Sequence, residues 1–186
     1  MQTIQIYENP NEIQVHDLIE IYNKEDMDIL KKNESLNRIL NMNPPEVWVK
    51  KHPYAANHKY IPIDKVEYLM RKIFKKYRIE ITGQGVAFNG VWVTVRVHYL
   101  NPASSEWDYH DGIGACELQT KSGSSPADLA NVNKGALAMA FPIAKTTAVK
   151  DACDHFGSIF GANLNRKDVI EFQPDNNVMN HDSSFE

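Results

Sequence analysis

Lys50, Lys51 and His52 follow closely on Trp48 and precede Tyr54, and a little further on Lys59 stands beside Tyr60. Ammonium groups hold phosphate and aromatic faces stack on unpaired bases, so cations interleaved with rings suit a single nucleic-acid strand. The competing explanation is a loop anchored by its aromatics, with Tyr60 in the core. Two other clusters invite chemistry. His98, His110, Asp111 and Cys116 would suit a metal if adjacent strands turned the histidines toward each other. No HxH, HxxxH or CxxC spacing accompanies them, and strand alternation produces such pairs by chance. Asp108, Asp111 and Glu117 would suit magnesium-dependent nuclease chemistry, yet no lysine follows at short spacing and alternation sends them to different faces. Neither cluster competes with the cationic set, so no catalytic residue, metal site or cofactor is expected.

The elements that must position these residues are legible in the periodicity. Residues 12–40 carry helical spacing in two stretches, Ile13 to Tyr22 and Ile29 to Leu40, read as two short helices. Pro44, Pro45, Pro53 and Pro62 forbid a continuous helix between Val47 and Ile63, which is expected as loop or edge strand. Asp64 with Glu67 reads as a capping box opening a helix whose apolar stripe is Val66, Leu69, Met70, Ile73, Phe74 and Tyr77. Its other face carries Lys65, Arg71, Lys72, Lys75 and Lys76, most simply a solvated surface.

From Ile79 the period becomes two. Asn89-Gly90 predicts a hairpin between a strand near Glu80–Phe88 and Val91–Leu100, with Val91, Val93, Val95, Val97 and Tyr99 on the core face. A turn at Asn101–Ser105 leads to a third strand, Glu106–Leu118, whose Gly112 and Gly114 signal a bulge or another backbone close by. After a polar loop, an alanine-rich stretch to Phe141 is expected to break at Pro142, with one helix over Ile143–Phe160 and Gly161 just past its end. Ala144, Ala148 and Ala152 give that helix a face of small residues.

Composition sets the frame. No run of about 18 apolar residues exists to span a bilayer, and the first residues lack the basic flank and apolar run of a secretion signal. Two unpaired-looking cysteines, Cys116 and Cys153, fit a reducing cytoplasm. The net charge of -4 conceals a division: residues 1–45 hold 4 basic and 8 acidic side chains, residues 46–167 hold 16 and 11, and residues 168–186 hold 0 and 5. A core of +5 is thus flanked by segments of -4 and -5, and a polyanion is the natural partner for the middle, although a merely solvated surface has the same composition. The expected organisation is an N-terminal helical segment (1–45), a core domain (46–167) and an acidic disordered tail (168–186). The fold class is α+β: a three-stranded antiparallel meander packed on a long C-terminal helix, with N-terminal helices.

The sequence of pieces resembles the annealing domain of the Rad-fifty-two family of single-strand annealing proteins, its phage Sak-type and DdrA-type relatives in particular. The matching parts are Lys59-Tyr60-Ile61-Pro62 before the Asp64 helix, the hairpin at Asn89-Gly90, Asp111-Gly112-Ile113-Gly114, and Ala148 to Phe156-Gly157, together about two thirds of the chain. The resemblance implies ATP-independent binding and pairing of complementary single-stranded DNA in recombination and repair, by a homo-oligomeric ring or filament. It also implies a basic groove between sheet and helices, in which Lys150 matches the groove lysine and Lys50, beside Lys51, the upstream basic position. A phage exonuclease or a host single-strand-binding protein is a candidate further partner, and no membrane is implied. One departure stands out: Asp151 and Asp154 occupy positions where many relatives are basic.

Annealing itself demands such residues, because the backbone must be gripped while base edges stay free. The expected DNA-binding set is Lys50, Lys51, His52, Tyr54, Lys59, Tyr60, Lys121, Lys145 and Lys150. The alternative function is a small metal-dependent enzyme acting on nucleic acid or nucleotides.

Overall fold

In the computed structural model, residues 24–52, 57–125 and 128–180 are described. Helix α1 (Lys24–Leu40) and a 3-10 turn (Glu46–Trp48) lead into a two-stranded antiparallel ribbon, β1 (Lys50–Lys51) and β2 (Lys59–Tyr60). Helix α2 (Ile63–Ile73) follows, then the strands β3 (Tyr77–Ala87), β4 (Gly90–Leu100) and β5 (Trp107–Glu117), antiparallel in the order β3-β4-β5. Helix α3 (Ala136–Asp154) closes the core, and a short α4 (Asn176–Asn180) ends the described chain. The α+β class and the meander packed on a C-terminal helix stand as expected.

The core follows from alternation on β4. Val91, Val93, Val95, Val97 and Tyr99 are all buried, under an α3 that lies across β4 and β5. Burying a valine completely contributes about 1.5 to 3 kcal/mol, so this column is a large part of what holds helix to sheet. The facing ridge on α3 is Ala136, Ala140, Ala144, Ala148 and Ala152, one residue per turn and all buried. At the far end, Phe74, Tyr99, Phe156 and Phe160 form an aromatic plug with ring centroids 4.5 to 5.1 Å apart between successive partners.

Gly112 and Gly114 mark a close approach of another backbone, and no bulge. The β4–β5 register is unbroken, and a Cβ on either glycine would overlap carbonyl oxygens and amides of α3, at Ala148 and Ala152 or at Ala144 and Ala148. The bulge lies instead on β3, between Ile81 and Gly83. Gly157, with φ of 131°, lets the chain after Phe156 pass under α1: a Cβ there would meet the Leu40 carbonyl oxygen at 2.8 Å.

Several local expectations are corrected. The hairpin turn is Phe88-Asn89, since Gly90 already pairs with Ala87; Phe88 takes the left-handed conformation at φ of 51°. The Asp64 capping box does not form. Pro62 is the N-cap of α2, and Asp64, already inside the helix, pairs with Lys65 at 2.9 Å. Pro142 does not break α3 either: the helix runs from Ala136 through it and ends at Asp154, short of Phe160. An interior proline costs about 3 kcal/mol, but the alanine ridge is buried on both sides of Pro142, and that packing outweighs the lost hydrogen bond. Lys24–Leu40 is one continuous helix, while the stretch from Ile13 to Tyr22 lies outside the described residues. Inside the segment expected to be disordered, Val178 on α4 is buried, and the Asp175 amide donates to Glu34 of α1 at 2.8 Å. No helix among the described residues is long and apolar enough to cross a membrane.

Candidate nucleic-acid interface

The ribbon is short, so something outside it must hold it in place. Asn165 does this with both ends of its amide: Oδ1 accepts from the Lys59 amide and Nδ2 donates to the Lys59 carbonyl, each at 2.8 Å. A side-chain amide here acts as one more strand along β2. Buried Ile61 anchors the exit from β2. The antiparallel register then sets Lys50 opposite Tyr60 and Lys51 opposite Lys59.

Tyr60 is the hinge of the site. Its ring lies 4.9 Å from Lys150 Nζ, a cation-π contact that joins ribbon to helix. Register and ring contact therefore gather Lys50, Tyr60 and Lys150, residues a hundred positions apart at the extremes, on one surface. His52 completes the set, with its ring 6.2 Å from those of Tyr60 and His58. Between ribbon and helix runs an open groove of about 740 Å³, lined by His52, His58, Tyr60, Pro142, Ile143, Thr146, Thr147 and Lys150. Burial lowers the Lys150 ammonium below the ordinary lysine value, offset in part by Asp154. Lys50, Lys51 and Lys59 are exposed along the ribbon.

A smaller recess of about 210 Å³ adjoins the groove, sharing His58, Tyr60, Thr147 and Lys150 and adding Lys59, Asp151, Asp154 and Asn165 among its walls. The two aspartates differ in kind. Asp151 accepts the Ile113 amide at 2.9 Å, fixing α3 to the free edge of β5. The Asp154 carboxylate makes no ion pair and no hydrogen bond among the described residues. Removal from water, then the like charge of Asp151, push its carboxyl up to about 6. More than a third of its surface remains open, and solvent screening moderates that displacement.

Not every expected residue arrives here. Lys121 sits in the loop closed by the Thr120–Val132 bridge, its amide donating to the Asn131 carbonyl, Lys145 is exposed on α3, and Lys50 and Lys51 stand exposed on the neighbouring ribbon; none of the four lines the groove or the recess, which take Lys150 in both and Lys59 in the recess alone. Tyr54 lies outside the described residues. Sequence reasoning missed His58, Thr146, Thr147 and Asn165, and noted Asp154 only as an acidic departure. The α3 members were available in principle, because Ile143, Thr147, Lys150 and Asp154 recur at spacings of three and four. Asn165 carried no such signal.

The rival clusters come apart. His98 is on the outer face of the sheet, bonded to Glu80 at 3.0 Å, whereas His110 is on the inner face against Phe156. They do not face each other. Asp111, also outward, is bound in bidentate fashion by Arg96 at 2.7 and 2.8 Å, which holds its carboxyl below the usual value. The Tyr99 hydroxyl donates to Asp108 at 3.1 Å, and burial, then the Asp108 charge, raises the phenol. Burial also raises the Cys116 thiol, the opposite of nucleophile activation. Among the described residues, no group of three or more His, Cys, Asp or Glu is disposed to hold a metal ion. No protein-family model matches this chain, and no curated protein matches it.

Proposed function

We propose that the protein binds single-stranded DNA along the ribbon–α3 groove and anneals complementary strands without nucleotide hydrolysis, as a member of a homo-oligomer. The observation that carries this reading is the convergence of Lys50, Tyr60 and Lys150 by register and ring contact. The groove is open, has the Lys150 ammonium in its lining and has exposed ammoniums on the adjoining ribbon, which suits a sugar-phosphate chain better than an enclosed small molecule.

Support for assembly comes from the opposite flank of the sheet, at β3. Ile81 and Val86 share the core-side face of β3 by register but remain 47% and 57% exposed, because α3 does not cover that strand. The outer edge of β3 pairs with nothing among the described residues. An eleven-residue open edge beside apolar side chains is a surface a second subunit would cover. Many weak phosphate contacts spread over linked subunits then add through effective concentration.

The test is titration of labelled oligo-dT with the wild type and with the Lys50→Glu, Lys51→Glu, Lys150→Glu triple variant. Wild-type affinity should fall steeply as salt rises, and the variant should bind about a hundredfold or more weakly with unchanged circular dichroism. Wild-type-like binding by that variant would remove the groove. Annealing of complementary oligonucleotides should persist in EDTA; loss of it would favour a metal-dependent enzyme.

A further inference from the structure

We infer that Asp154 makes the groove's hold on a polyanion proton-linked: ionised, it opposes phosphate beside Lys150; protonated, it releases that opposition. This rests on the groove being the polyanion site.

The geometry is a shared recess. Lys150 and Asp154 stand one turn apart on α3 and line the same recess with His58, Lys59, Tyr60 and Asp151. The Asp154 carboxylate packs over Gly161, where a Cβ would lie 3.6 Å from its Oδ1, so the chain leaving α3 closes one side of it. Asp151 spends its charge on the Ile113 amide, but Asp154 has no such partner among the described residues. An unpartnered carboxylate beside a phosphate-binding ammonium is a standing repulsion toward any strand in the groove, and only a proton removes it.

The charged and titratable groups facing Asp154 come from three elements. The ribbon contributes His58, Lys59 and Tyr60, α3 contributes Lys150, Asp151 and His155, and the segment after it contributes Arg166. Lys150, His155 and Arg166 favour the ionised carboxylate; burial and Asp151 oppose it more strongly, which places the change near pH 6. Imidazoles as a class titrate between pH 5 and 8, so a wild-type pH profile alone decides nothing. Comparison with Asp154→Asn isolates the carboxyl.

The sign for stability runs the same way. A carboxyl that titrates at 3.8 in its ordinary state and near 6 in the fold binds more protons folded than unfolded between those values. Stability therefore falls as pH rises from about 4 to about 6, and the whole cost is present above that range. Asp154→Asn should melt higher than the wild type at pH 8 and alongside it at pH 4.

The experiment is fluorescence anisotropy of labelled oligo-dT with the full chain, wild type and Asp154→Asn, at fixed low ionic strength from pH 5.5 to 8. Expected is tighter binding by the variant at pH 8, by about threefold or more, with the two curves converging at pH 5.5. Parallel profiles, or no gain at pH 8, overturn the inference while leaving the groove standing. If neither protein binds oligo-dT at any pH, the groove reading fails and this inference with it. Equal melting of both proteins at pH 8 also overturns it.

Discussion

The two flanks of the three-stranded sheet are built from similar residues and treated in opposite ways. On β5, Gly112 and Gly114 are buried beneath the α3 backbone, and Asp151 takes the outward Ile113 amide, so that flank is both covered and capped. On β3, Gly83 and Gly85 face the solvent side, where a Cβ would meet Thr94 and the ring of Trp92, while the inner face shows Ile81 and Val86 to water. The difference teaches that one flank is finished by the chain itself and the other stays open among the described residues, the flank that the proposed assembly would cover. A glycine on the first is a packing requirement against backbone; a glycine on the second neighbours only movable side chains.

Substitution can break that contrast. Gly114→Ala should be the most damaging, because its Cβ would overlap the Ala144 carbonyl and displace α3; a loss of at least about 3 kcal/mol in urea unfolding is expected. An Ala variant of wild-type stability would mean that helix and sheet are not so close. Asp151→Ala should have an intermediate effect, about 1 kcal/mol, by releasing the Ile113 amide. It should also uncap the β5 edge, seen as faster hydrogen exchange at Ile113. Gly85→Ala should cost least, within about 1 kcal/mol, since the exposed Trp92 ring can swing away. A Gly85→Ala loss matching that of Gly114→Ala would erase the distinction between flanks.

The core was readable where one physical rule acts alone. Strand alternation on β4 gave its buried column because residues two apart must share a face, and alanines four apart gave the α3 ridge. Reading failed where rules compete. Proline chemistry argued for a break at Pro142, and the buried alanines on either side overrode it. Asp64 and Glu67 had the spacing of a capping box, but Pro62 already caps the helix two residues before Asp64. Acidic composition argued for a disordered tail, yet within it Val178 is buried and the Asp175 amide reaches Glu34 of α1.

For the candidate site, composition alone determined the ingredients: ammoniums and rings around Lys50–Tyr60, a lysine on the last long helix, and a positive middle between acidic ends. Only the tertiary structure decided which of them meet. Tyr60, opposite Lys50 in the ribbon, meets Lys150 through a ring contact, Lys121 and Lys145 are left aside, and Asn165 pins the ribbon from far along the chain. Local spacing fixes the face on which a residue lies, because backbone geometry repeats every few residues. Which faces then approach is set by long-range packing, for which no short-range pattern in the sequence can stand.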